Sequence, residues 1–133
     1  MTHDEIVKYV EDLYACTGVG DFDTAETMLT DDFFVTEADS LPFAGVYRGK
    51  TALRELYTKV MSMMDVAGLN REITTTGKDT AVCLLSFEFA DPALKPSHLA
   101  ELFRFRDGKA CEIKPHYFDP ATIVTACAAK AGV

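Results

Sequence analysis

The sequence predicts an α+β fold in which a curved antiparallel sheet wraps around about three N-terminal helices, with a short C-terminal helix added. Three observations carry this. Apolar residues recur at helical spacing through the first half of the chain. From about residue 69 the pattern switches to alternation with a period of two, punctuated by turn residues. Asp119-Pro120 then opens one last, one-sided helix, with Asp as cap and Pro at the first helical position. Helices followed by a strand meander give a sheet covered on one face. A sheet curled that way leaves a cavity open at one end, and function would sit there. The 133 residues suffice for one core. No repeat, linker or low-complexity stretch interrupts them, so 1–133 reads as a single domain.

Taken in order, Thr2 and Glu5 form a capping box. Ile6, Val10, Leu13, Tyr14 and Thr17 follow on one helical stripe, which stops at Gly18 or Gly20. Asp21-Phe22-Asp23 opens a short second helix, with Asp23 as the cap for Ala25, Met28 and Leu29. Asp31-Asp32 is expected to break it, and Phe33 to Ala38 reads as a strand. Ser40 to Gly45 is a loop marked by Pro42 and Gly45. After Gly49 a third helix carries Leu53, Leu56, Tyr57, Val60, Met61 and Met64 on one stripe. Strands are expected near 69–76, 80–90, 97–106 and 109–118. Tight hairpins fall at Gly77-Lys78-Asp79 and Asp107-Gly108, with a longer loop from Asp91 to Pro96.

Composition excludes several classes. Net charge is -8, and Lys and Arg are spread singly, so no basic face exists for nucleic acid. The four cysteines have no C-x-x-C pairing, which argues for neither zinc nor a redox motif. Three of them fall on apolar positions and are expected as buried free thiols. The acidic N-terminus is no signal peptide, and no apolar run reaches the ~18 residues of a membrane span. A cytoplasmic protein without membrane contact is the expectation.

Alternation assigns faces, and two glutamates fall out of pattern. Leu99, Glu101, Phe103 and Phe105 share one face of the strand 97–106, placing Glu101 among large apolar side chains. Phe33, Val35 and Glu37 share a face of the strand 33–38. Ala81, Cys83, Leu85, Phe87 and Phe89 form an apolar wall for the same interior. Cys111, Ile113, Pro115 and Tyr117 add a row with one hydroxyl. An unpaired carboxylate in such surroundings resists ionisation, which gives either a base poised near neutrality or an acid that keeps its proton. The plain alternative is that Glu37 reaches water at a strand end and Glu101 pairs with an arginine or a second copy. His98 and His116 fall on the opposite face, and His3 is expected to be solvated in the first helical turn. No His/Asp/Glu set has metal-ligand spacing.

Asp21, Asp31-Asp32, Val35-Thr36-Glu37, Gly49 to Tyr57, and Glu101-Leu102-Phe103-Arg104-Phe105 followed by Asp107-Gly108-Lys109 resemble bacterial ketosteroid isomerases and their SnoaL-like relatives. The resemblance runs along nearly the whole chain. It implies the nuclear-transport-factor-2-like cone, commonly a homodimer through the sheet, and an apolar pocket. It places the family's catalytic base on Glu37 and its oxyanion-stabilising acid on Glu101. The family's tyrosine falls on Leu13, with Tyr14 one residue on and turned by about 100°. Tyr57 and Tyr117 align with pocket positions and are candidates, with Tyr14, to replace that hydroxyl, packing being the alternative role for Tyr57. Leu13, Val35, Phe87, Leu99, Phe103 and Ile113 are the expected pocket lining. Both acids are Glu where the family has Asp, and the loop from Ala38 to Gly49 is two residues longer.

Two functions from different classes follow. One is a cofactor-independent isomerase or cyclase moving a proton α to the carbonyl of a small hydrophobic compound. Glu37 would be its base, and Glu101 would hold the enolate oxygen with Tyr117 or Tyr57. The other is a non-catalytic module that binds a small apolar molecule or dimerises.

Overall fold

In the computed structural model, which describes residues 1–132, α1 spans His3–Gly18 and begins with the expected capping box. The Thr2 hydroxyl accepts the Glu5 amide, and the Glu5 carboxylate accepts the Thr2 amide at 2.9 Å. The inward stripe of Ile6, Val10, Leu13, Tyr14 and Thr17 is buried throughout. His3, exposed as expected, bonds to the Thr76 hydroxyl at 2.7 Å and ties the start of α1 to the sheet.

Helix α2 is only Phe22–Thr27. Its cap is Asp21, which accepts the Thr24 amide at 3.1 Å, and not Asp23. Asp23 instead sits in the first turn and pairs with Arg54 of α3 (Ala52–Met63), which also binds Glu26. Strand β1 begins earlier than expected, at Leu29–Glu37. Leu29 belongs to it because that side chain is wholly buried against the sheet, where it pairs with Ala110. Asp31 and Asp32 do not precede the strand. They occupy a register shift within it, exposed, where Lys50 and Arg106 pair with them. A short β2, Gly45–Arg48, was not expected and pairs antiparallel with β1.

The four later strands fall almost where alternation puts them: β3 Val66–Gly77, β4 Thr80–Phe89, β5 Ser97–Arg106 and β6 Lys109–Tyr117. The turn at Asp107-Gly108 has φ of 54° and 77°, the left-handed pair that a two-residue hairpin demands. Helix α4, Pro120–Ala131, is capped by Asp119 on the Ala121 amide. The sheet order is β2-β1-β6-β5-β4-β3, and every pair is antiparallel except β1 with β6. Register shifts in β3 and β6 bend the sheet around the helices.

The shift in β6 corrects one row. Arg104 pairs with Glu112 and Phe105 with Ala110, leaving Cys111 as the extra residue. Ala110 therefore takes the interior place, while Cys111 is half-buried, its thiol directed at the Arg104 carbonyl. All four thiols are free, but only Cys83 and Cys127 are buried, fewer than the pattern suggested. The bulge also frees the Ala110 amide, which donates to the Tyr9 hydroxyl at 3.0 Å. Tyr9 in turn donates to the Met28 carbonyl and meets Phe105 edge-on at 5.1 Å, so one side chain of α1 links β6 to the residue that leads into β1. Its burial raises the hydroxyl pKa to about 12, which keeps it a donor.

Phe33 is wholly buried beside this junction, and Phe33→Ala is expected to cost ~3–5 kcal/mol in urea unfolding. A loss below about 1 kcal/mol would show that the site collapses freely and that the β1 junction is not tightly packed.

Candidate functional site

The concave face of the sheet and the helices enclose a cavity of about 280 Å³. β1 supplies Val35 and Glu37, β5 supplies Glu101 and Phe103, and β6 supplies Ile113, Pro115 and Tyr117. α1 contributes Leu13, Tyr14 and Thr17, and α3 contributes Leu53, Leu56 and Tyr57. Nine of the ten residues expected at the site are therefore in its wall: Glu37, Glu101, Tyr57, Tyr117, Leu13, Val35, Phe87, Phe103 and Ile113. Leu99 is the exception. Alternation fixed its face correctly, and it is buried, but it lies in the core beyond the cavity. That end of β5 is closed by α4, where the Thr122 hydroxyl donates to Ser97 at 2.7 Å.

The hydroxyl partner of Glu101 is Tyr14, which donates to Oε1 at 2.7 Å. The register count had set Tyr14 one position aside. On a concave surface both Leu13 and Tyr14 reach the interior, although they differ by about 100° around the helix axis. Membership of Tyr14 in the buried stripe with Val10 and Thr17 was the signal for it. Tyr57 is turned the other way along α1 and donates to the Thr17 hydroxyl at 3.4 Å. The loop before β2 also contributes: Phe43 is almost fully buried, lines the cavity and meets the Tyr117 ring at 6.5 Å. Nothing in the loop's Pro and Gly signals marks Phe43 as wall.

The two carboxylates are held differently. Glu37 is only 3% exposed, and its Oε2 has no hydrogen-bond partner. Burial, reinforced by the charge of Glu101, raises its pKa to about 8. Glu101 is also raised by burial, but the Tyr14 hydroxyl stabilises its charged form, and its pKa stops at about 6. Tyr14, Tyr57 and Tyr117 are all shifted upward, first by burial and then by nearby carboxylates, so each keeps its proton. Glu37 thus holds its proton more firmly than Glu101, and the cavity sets the two carboxyl groups and several hydroxyl donors within apolar walls.

His98 and His116 are exposed on the outer face. Among the described residues no group of His, Cys, Asp or Glu side chains is arranged to hold a metal ion, and no helix is long and apolar enough to cross a membrane.

An NTF2-like protein from Burkholderia xenovorans LB400 superposes with a TM-score of 0.77 at 21% identity, over 96% of this chain and 98% of that one. An NTF2-like protein of unknown function from Burkholderia pseudomallei K96243 gives the same TM-score and coverage at 16% identity. TerC, crystallised with polyporic acid, aligns over 92% of this chain and 98% of its own, with a TM-score of 0.77 and 14% identity. These likenesses show the cone fold. No curated protein matches the sequence. The SnoaL-like domain profile matches residues 10–113, and the chain belongs to that family.

Proposed function

We propose that this protein is a cofactor-independent enzyme of the isomerase or cyclase kind, moving a proton α to the carbonyl of a small apolar compound. The observation that carries the reading is a pair of buried carboxylates on one cavity, with Tyr14 bonded to Glu101 and Oε2 of Glu37 left without a partner. Their pKa values, about 6 and about 8, fall on either side of neutrality, as an acid and a base working together require. TerC, crystallised with polyporic acid, supports a ligand role for the fold.

The resemblance gives the base role to Glu37 and the acid role to Glu101. The electrostatics favour the opposite division, because Tyr14 steadies charge on Glu101 and that charge holds the proton on Glu37. In this division the Glu101 carboxylate takes the α-proton, forming its own O–H bond as the C–H bond breaks. The C–H electron pair moves towards the carbonyl, whose oxygen receives a hydrogen bond or proton from the Glu37 carboxyl. Where the enolate is conjugated, return of the proton from Glu101 to a different carbon, with any proton on the enol oxygen passing back to Glu37 as the carbonyl re-forms, completes an isomerisation and restores both groups. Tyr117, still protonated, is a second donor beside Glu37.

A second copy is proposed to cover the outer sheet face. There Ile73 lies opposite Leu84, and Leu84 opposite Ala100, with Ile73 and Leu84 exposed. Sedimentation of the parent as a dimer and of Leu84→Glu as a monomer is expected, and a monomeric parent ends the idea.

Apolar cyclic enones incubated in D2O should gain deuterium at the carbon next to the carbonyl, as read by mass spectrometry. Glu101→Gln should slow this by about 100-fold or more. Binding without any exchange would identify a non-catalytic module. Removing the donor with Tyr14→Phe raises the Glu101 pKa, so the acid limb of the exchange profile should move to higher pH. A limb that stays in place would show that Glu101 is not the base.

Stability reports on Glu37 independently. Below its ordinary value of 4.5 the carboxyl is neutral in both folded and unfolded chains. Between 4.5 and about 8 only the unfolded chain releases the proton, so stability falls as pH rises, by up to about 1.4 kcal/mol per unit. Glu37→Gln should gain steadily over the parent in urea unfolding from pH 5 to pH 8. A constant difference across that range would mean that Glu37 is not raised.

A further inference from the structure

The cavity wall is graded from its floor to its opening. Glu37 and Tyr14 are 3% and 8% exposed, and Thr17 is buried beside them. Met61 and Leu69 line the same cavity, yet they are 50% and 40% exposed. They therefore form its mouth, between the end of α3 and the start of β3. The side chains at the mouth are apolar, and α4 is tied beside them: Lys130 donates to the Met61 carbonyl at 3.1 Å and pairs with Asp65 at 2.9 Å. Among the described residues no lysine or arginine lines the cavity, and the charged residue types in its wall are the two glutamates; Arg71 lies outside the wall, over the Tyr14 ring at 5.4 Å. The chain around it carries a net charge of -8.

A phosphate, carboxylate or nucleotide-bearing substrate would find no counter-charge in the cavity wall and would sit beside Glu101, an unfavourable pairing in a medium of low dielectric. A volume of about 280 Å³ lies just under the ~300–1,000 Å³ of typical ligand sites. An apolar molecule of ordinary metabolite length would fill it and continue outward across Met61 and Leu69.

The geometry points to a neutral amphiphile with a linear tail as the substrate class: an oxygen function seated between Glu37 and Glu101, and an apolar tail that leaves through the mouth over Met61 and Leu69. This rests on the reading of the cavity given above and adds the polarity, charge and length of what it takes. Met61 and Leu69 are then the residues that set chain-length preference.

The test is a series of 4-n-alkylcyclohexanones from methyl to hexyl, titrated calorimetrically against the intact protein. Affinity is expected to rise two- to fourfold for each CH2, since each added group is removed from water on the mouth residues. Met61→Ser and Leu69→Ser should flatten that slope. A hexyl homologue ending in a carboxylate at the far tip should lose less than tenfold, because the tip lies in solvent. A carboxylate in place of the ketone should abolish binding. Equal affinity along the series, or an unchanged slope in both serine variants, overturns the tail while leaving the cavity reading intact. Failure of every homologue, the methyl compound included, overturns both. Preference for the head carboxylate over the ketone overturns the neutral head group.

Discussion

Two carboxyl groups facing one apolar cavity resist being charged together, and among the described residues no lysine or arginine lines that cavity; the Arg71 guanidinium stands behind the Tyr14 ring, 5.4 Å from its centre. The rest of the site follows from that constraint. One group must keep its proton, and which one is decided by where the hydrogen bonds go. Tyr14 reaches Glu101 from α1, so charge settles on β5, and the acid at the end of β1 is held neutral by both burial and its charged neighbour. The three tyrosines respond to the same field, each retaining its proton more firmly than in water. A site built this way needs no metal to be poised near neutrality, because desolvation and one phenol do the tuning.

The scaffold makes that placement reproducible. Glu37 and Glu101 sit on strands that share β6 as a common neighbour, and irregularities in β1 and β6 curve the sheet so that both side chains converge. Tyr9 locks the parallel pair by bonding to Met28 and to the amide released by the bulge. The helices close the remaining sides, and the Leu41–Phe43 stretch folds inward to complete the wall. The Tyr9 tie to Ala110 uses an amide that the β6 bulge left open, so that irregularity and that hydrogen bond depend on one another.

Much of this was legible in the sequence because alternation and helical spacing report which face a residue occupies. Glu101 among Leu99, Phe103 and Phe105, and Glu37 after Phe33 and Val35, were readable for that reason. Periodicity says nothing about depth along a face, which is why Leu99 was expected in the cavity and is found in the core beyond it. It also assumes a constant period, so the bulge that exchanges Cys111 for Ala110 was invisible. Asp31-Asp32 resembled a break because two adjacent acids rarely sit inside a strand. Here they occupy the section of β1 where its register against β6 slips and water can reach them. The parallel contact between β1 and β6 is a tertiary choice that no local pattern encodes, and Phe43 lies in a loop whose inward fold only the finished cone explains.

That parallel contact also sets an order of events during synthesis. Val35 finds its sheet partner in Ile113, near the far end of the chain, so β1 and its acidic terminus remain without that neighbour until almost everything has been translated. The hairpins between β3 and β6 close over short spans and can assemble early, whereas joining β1 to them must pay the entropy of a long loop. Before that moment Phe33 and Val35 form an unsatisfied apolar edge, and Glu37 titrates as an ordinary solvated acid. The abnormal acidity of the site is therefore a property of the completed chain alone: a nascent protein halted ahead of β6 would have both carboxylates and neither of their raised proton affinities.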